Sequence, residues 1–184
     1  LRSRGLGDVY KRQVLFNDFE TLDIFGPLEI LGKVQEYDIH YYSQNGGMIT
    51  SRQKTQIITE DIDLADKKGI LVIPGGQGTR ELVNDESFLN MLKVIAEESG
   101  FCLSICTGSA LLAKANVLNG KSATSNKQAF EWVKSINDTV NWVQKARWVV
   151  DGKYYTSSGV SAGIDMTLGS VSYTHLTLPT ILRV

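Results

Sequence analysis

Apolar and polar positions along the chain repeat with two periods. Short apolar runs, Val14-Leu15-Phe16, Gly69-Ile70-Leu71-Val72-Ile73 and Phe101-Cys102-Leu103-Ser104-Ile105, fit strands covered on both faces. Between them lie helical stripes. Residues 21–33 set Ile24, Leu28 and Leu31 at helical spacing, with Pro27 near enough to the start to be tolerated, and residues 87–98 align Phe88, Met91, Leu92 and Ile95. Residues 37–43 alternate as a strand, Asn45-Gly46-Gly47 is a turn, and residues 48–59 read as a strand and connecting hairpin. After the third apolar run a helix starts without a loop and ends near Leu118-Asn119-Gly120. A short strand at 122–124 leads to a helix over 127–135, for which Asn126 is a candidate N-cap. Residues 147–150 and 153–156 flank Asp151-Gly152 as a hairpin, and a last helix begins near Ala162. Strands alternating with helices predict an α/β fold with a doubly wound, mostly parallel sheet, whose ligands sit beyond the carboxyl ends of the strands.

The length of 184 residues suits one core and one domain. A net charge of −1 without a basic stripe argues against nucleic acid or an anionic membrane as partner. No apolar run approaches the roughly 20 residues of a membrane span. Cys102 and Cys106 are four residues apart on one strand, about 13 Å at about 3.3 Å per residue. A disulfide needs Cα atoms within about 7 Å, so both thiols are expected free, as in a reducing, cytoplasmic setting. Both ends read differently from the middle. Residues 1–13 and 171–184 resemble translated sequencing-adapter sequence, a native arm at each end being the alternative. Setting them aside leaves 14–170 as the domain, expected to be truncated on both sides.

The chemistry concentrates at Cys106. It stands between strand and helix with small residues two before and two after it, Ser104 and Gly108, which is the grammar of a nucleophile elbow. At the first turn of the following helix, backbone N–H groups and the helix dipole favour thiolate, making Cys106 a candidate nucleophile rather than a small buried hydrophobe. Cys102, inside the strand, reads as core. Pro74-Gly75-Gly76-Gln77-Gly78 lacks the endings of a phosphate loop or a dinucleotide fingerprint. It is a tight turn or half of an oxyanion hole, with the N–H groups of Gly76 and Thr107 facing substrate. Asp23 either answers a helix dipole or places a partly desolvated carboxyl beside the thiol, where its protonated form is favoured; Glu20 is a lesser candidate. Asn126 is a cap or a substrate-facing amide. His40 lies far from the elbow and His175 in the suspect tail, so neither a Cys-His dyad nor a metal site is expected.

These landmarks resemble the ThiJ/PfpI superfamily of class I glutamine amidotransferase-like proteins. The matching motifs are Leu22-Asp23-Ile24-Phe25-Gly26-Pro27, Ile73-Pro74-Gly75-Gly76, Ser104-Ile105-Cys106-Thr107-Gly108-Ser109, Leu118-Asn119-Gly120-Lys121 and Gly159-Val160-Ser161-Ala162-Gly163-Ile164-Asp165. The resemblance implies a flavodoxin-like sheet with helices on both faces, Cys106 as nucleophile, Asp23 as acid and Thr107 as the residue after the nucleophile. Thr107 stands where peptidase members carry histidine, which argues against proteolysis, and Thr124-Ser125-Asn126-Lys127 departs from the Thr-Thr-His-Trp common in isonitrile hydratases. The resemblance to the branch containing those enzymes implies a cofactor-free hydratase or hydrolase acting on a small molecule, as a homodimer. The alternatives are a ligand-sensing domain of an AraC-type regulator and a carbonyl-stress or oxidative-stress protein.

Overall fold

A continuous apolar run is stable in a sheet only where both faces are covered, and the middle of this molecule is built that way. The computed structural model describes residues 9–35, 37–65 and 69–174. Its main sheet has the strand order β3-β4-β2-β1-β5-β6-β10-β9. These strands are β1 (Val9–Val14), β2 (Tyr37–Ser43), β3 (Gly47–Thr50), β4 (Gln56–Asp61), β5 (Ile70–Ile73), β6 (Phe101–Ile105), β9 (Trp148–Asp151) and β10 (Tyr154–Ser157). Pairing is parallel from β4 through β2, β1, β5 and β6 to β10, and antiparallel only for β3 and β9 at the two edges. Every residue of β5 is buried, and β6 is buried from Cys102 onward. A second, two-stranded sheet pairs β7 (Ser122–Ala123) with β8 (Asn141–Trp142). The helices are α1 (Thr21–Leu31), α2 (Thr79–Leu82), α3 (Glu86–Glu98), α4 (Gly108–Lys114), α5 (Phe130–Ile136) and α6 (Val160–Thr174).

This is the expected doubly wound α/β architecture, with local differences that have physical causes. In the last hairpin Asp151 pairs with Tyr154, so the turn is Gly152-Lys153, one residue later than the expected Asp151-Gly152. Only Gly152 has a left-handed φ, +60°, which suits glycine at the first central position of a type II′ turn. The helix after Asn126 starts at Phe130, because Asn126 Oδ1 accepts from the N–H groups of Gln128 and Ala129 at 3.0 and 3.1 Å and closes a turn before the helix begins. Helices α1 and α6 approach closely: a Cβ on Gly26 would lie 2.7 Å from Ile164 Cγ1.

The first strand starts at Val9 rather than Val14, and most of it belongs to the stretch set aside above. Backbone pairing with β2 and β5 does not depend on side-chain type, so Lys11, Arg12 and Gln13 occupy a central strand and are fully buried. Arg12 Nη2 donates to Ser99 Oγ at 2.9 Å, and Lys11 Nζ lies 3.2 Å from the centroid of the Tyr37 ring. Burial lowers the Lys11 pKa from 10.5 to about 7. The folded state therefore releases a proton that the unfolded chain keeps, and stability rises with pH between about 7 and 10.5. Lys11→Met removes this penalty. Its urea midpoint should exceed the parent's at pH 6.5 by the equivalent of about 1 kcal/mol or more, and the difference should close towards pH 10.5. Equal midpoints at pH 6.5 would contradict the buried-amine account.

Candidate active site

Strand β6 ends at Ile105 and α4 begins at Gly108, so Cys106 and Thr107 alone make the reversal. Cys106 has φ +57°, a left-handed conformation that a non-glycine residue keeps only where its surroundings hold it. Its N–H donates to Ser157 O at 3.0 Å, and its carbonyl accepts from Ser125 Oγ at 2.9 Å and Ser109 Oγ at 3.4 Å. A Cβ on Gly108 would meet the carbonyl oxygens of Ile73 and Pro74 at 2.7 and 2.8 Å, which explains the small residue there. The elbow expected from the sequence is present, and Cys106 is half-buried at the carboxyl edge of the sheet. Cys102 is free and fully buried in β6.

Asp23 comes to the same place from α1. Its side chain is fully buried, and Oδ2 accepts from Gly75 N at 2.9 Å. The Cys106 thiol faces the same carboxyl, and each group perturbs the other's titration. Among the described residues, Oδ1 has no hydrogen-bond partner. Burial, with the nearby charge of Glu20 adding to it, raises Asp23 from 3.8 to about 7 against the bond from Gly75. The Glu20 carboxylate is in turn held by Gln53 Nε2 at 2.8 and 2.9 Å.

The expectation of a standing thiolate needs correction. Desolvation first, then the neighbouring Asp23, push Cys106 up to about 12, and these outweigh donors from Thr107 N–H, the Asn126 amide and the Thr107 hydroxyl. The dipole of α4 is outweighed because the elbow withdraws its sulfur from water and sets it beside an acid. At neutral pH the pair holds one proton on the sulfur and exchanges a second at the carboxyl. A thiol with an adjacent carboxylate can pass its proton over as it attacks, so the sulfur carries charge only during reaction.

The expected oxyanion hole is committed internally. Gly76 N donates to Thr107 Oγ1 at 3.0 Å, Gly75 N is bound by Asp23, and Thr107 N–H is directed at the sulfur. These amides therefore align the threonine, the acid and the thiol. Gly76 has φ +131°, and a Cβ there would lie 2.4 Å from Asp18 O. Asn126 is also placed at the thiol. Because Oδ1 is used by the turn, its NH2 is the end that reaches Cys106. Two polar residues were not singled out from the sequence. Ser125 pins the Cys106 carbonyl, and Thr79, fully buried at the start of α2, has Oγ1 3.1 Å from Thr107 Oγ1. Their only sequence signal is a polar residue on a loop returning to the elbow.

His40 contacts Asp38 and Glu60 on the β2 and β4 surface, away from the thiol. Among the described residues, no three His, Cys, Asp or Glu side chains gather as a metal ligand set, and no helix is long and apolar enough to cross a membrane. Hollows of about 510 Å³ beside Lys114 and Asn137 and about 260 Å³ beside Phe16 and Phe88 do not reach Cys106.

Comparison with known proteins bears on this arrangement. Residues 13–172 match the DJ-1/PfpI family. The chain is 30% identical over 159 residues to isonitrile hydratase of Pseudomonas putida, covering 84% of this chain and 67% of that protein. It is 29% identical over 153 residues to a deglycase of Pyrococcus horikoshii, covering 79% and 89% respectively. A crystal structure of a ThiJ/PfpI family protein from Pseudomonas syringae shares the fold with a TM-score of 0.82 at 23% identity, covering 94% of this chain and 75% of that one.

Proposed function

The chain belongs to the DJ-1/PfpI family, and from that premise we propose that it is a cysteine-dependent hydratase of a small carbon–nitrogen electrophile, converting an isonitrile and water to an N-substituted formamide. The observation that carries this reading is the pairing of Cys106 with a buried carboxyl titrating near 7, with no histidine beside them among the described residues. Hydration of an isonitrile needs a nucleophile for the terminal carbon and a group that gives that carbon a proton and later takes one from water. It does not need a histidine to protonate a leaving amine, as peptide cleavage does. The identity to isonitrile hydratase supports the same reading.

In this proposal the Asp23 carboxylate takes the thiol proton as the sulfur–carbon bond forms, then delivers it to the same carbon, leaving a thioimidate. Water adds to that carbon, and its proton passes through Asp23 to nitrogen. The carbon–sulfur bond then breaks, and the hydroxyl proton returns to sulfur as the formamide leaves. Thr107 holds the water. The reading includes a homodimer and a cytoplasmic setting, the latter supported by two free thiols.

Incubation with a panel of alkyl and aryl isonitriles tests it. Formamide should form at least 10³-fold faster than without protein, a modest enhancement for an enzyme. Formamide at the uncatalysed rate across the panel would refute the reading.

A further inference from the structure

Helix α1, which carries the acid, starts without a side-chain cap of its own. Glu20 at the N-cap makes no side-chain bond to the first turn, and its N–H, which an acid three residues on would ordinarily take, donates to Gly75 O at 2.9 Å. Asp23 turns to Gly75 N instead, and the cap comes from another part of the chain. Gln53, on the loop between β3 and β4, accepts at Oε1 from Thr21 N and Thr21 Oγ1 at 3.1 and 2.7 Å, and donates from Nε2 to both Glu20 carboxylate oxygens at 2.8 and 2.9 Å. Turned over, the amide would set its oxygen against the carboxylate and its NH2 against the Thr21 N–H, so one orientation alone fits. The loop is itself docked on this end of α1. Arg52 N donates to Phe19 O at 2.8 Å, Ser51 Oγ lies 2.7 Å from Thr21 Oγ1, and the same Ser51 Oγ accepts from Thr55 N at 3.0 Å. The titratable groups that act on Asp23 are Glu20, on its own helix, and Cys106, on the elbow.

We propose that Gln53 is a positioning residue, which caps α1 from the neighbouring loop and holds the Glu20 carboxylate beside the acid Asp23. This deepens the hydratase reading and rests on it for turnover, but the cap and the acid are read without an isonitrile. The readout is NMR of protein labelled with 15N and with 13C at the aspartate carboxyls, the Asp23 signal being assigned by its loss in Asp23→Asn.

Gln53→Met keeps the side-chain shape and removes the amide. Hydrogen exchange of the Thr21 amide should quicken about tenfold, as expected for one lost hydrogen bond. The midpoint at which the Asp23 carboxyl titrates should fall by about 0.5 pH unit, because a Glu20 carboxylate released to water repels it less. Glu20→Gln should lower the midpoint at least as far while leaving the Thr21 amide protected, since the Gln53 cap is still in place. The double variant Glu20→Gln/Gln53→Met should titrate no lower than Glu20→Gln alone, because Gln53 acts on the acid through Glu20. With an isonitrile, the rise of kcat/KM with pH should move with the midpoint in each variant. Parental protection of Thr21 in Gln53→Met, an unmoved Asp23 midpoint, or a double variant shifted beyond Glu20→Gln would overturn the assignment. If Gln53→Met does not fold, Gln53→Ala replaces it under the same criteria. A parent and variants that titrate as described but form no formamide would refute the hydratase reading and leave the Gln53 assignment standing.

Discussion

Asp23→Asn is expected to lower formamide turnover by about 10³-fold, within the usual range for a general acid–base group. The asparagine can still accept from Gly75 N, so the loop keeps its anchor while the proton carrier is gone. Cys106→Ser should fall to the uncatalysed rate, and the double variant should be no slower, since acid and nucleophile act as one unit. In the parent, kcat/KM should rise as pH increases through about 7, where the pair loses its first proton, and should not fall again until far into the alkaline range, because the second proton leaves near 12. Asp23→Asn should lose the step near 7. The same shift predicts stability. A carboxyl raised from 3.8 to about 7 binds more protons in the folded state, so its contribution is present at acid pH and lost as pH rises through 7. The asparagine variant should therefore gain in Tm over the parent at pH 8 relative to pH 4. A parental pH profile in Asp23→Asn would remove the acid from the mechanism.

Gly75→Ala should be nearly as damaging for a different reason. An added Cβ would lie 2.5 Å from Thr107 N, 2.7 Å from Cys106 Cβ and 2.7 Å from Thr107 Oγ1. Two of these atoms are backbone or fixed directly to it, so no rotamer change relieves the overlap. Either β5 and the elbow separate or the left-handed turn opens. The cost should be about 3 kcal/mol of stability, at the upper end for overpacking. Turnover should drop by at least about 10²-fold, since a displacement near 1 Å at reacting groups has that effect. Gly100→Ala is the control: its added Cβ would meet only Gly69 O, at an ordinary 3.5 Å. Parental turnover and Tm in Gly75→Ala would show that β5 and the elbow are not packed as described.

The elbow was legible because a reversal without a loop demands small residues at fixed offsets, and Ser104 and Gly108 stand there. The mostly parallel, doubly wound sheet followed from uninterrupted apolar runs such as 69–73, whereas the order of its strands came only from the pairing. Asp23 was legible as a candidate because it opens a helix just past the first strand. Its protonation, and that of Cys106, was not, because both depend on how much water the folded elbow excludes and on which groups meet across it. Asn126 shows a similar limit: a residue that caps a helix and one that closes a turn just before it carry the same local signal, and only the start of α5 at Phe130 separates them. The Gly76 N–H could be assigned to a substrate from sequence, but Thr107 Oγ1 competes for it at 3.0 Å. Lys11, Arg12 and Gln13 give no strand signal at all; backbone pairing between β2 and β5 places them.

The acid rides on α1, and Gly26, three residues after it, lies flush against Ile164 of α6 with no side chain to cushion the contact. A side chain at this seam would have to push apart two helices, one of which carries the acid, so the smallest residue in the chain keeps the last helix seated against the first.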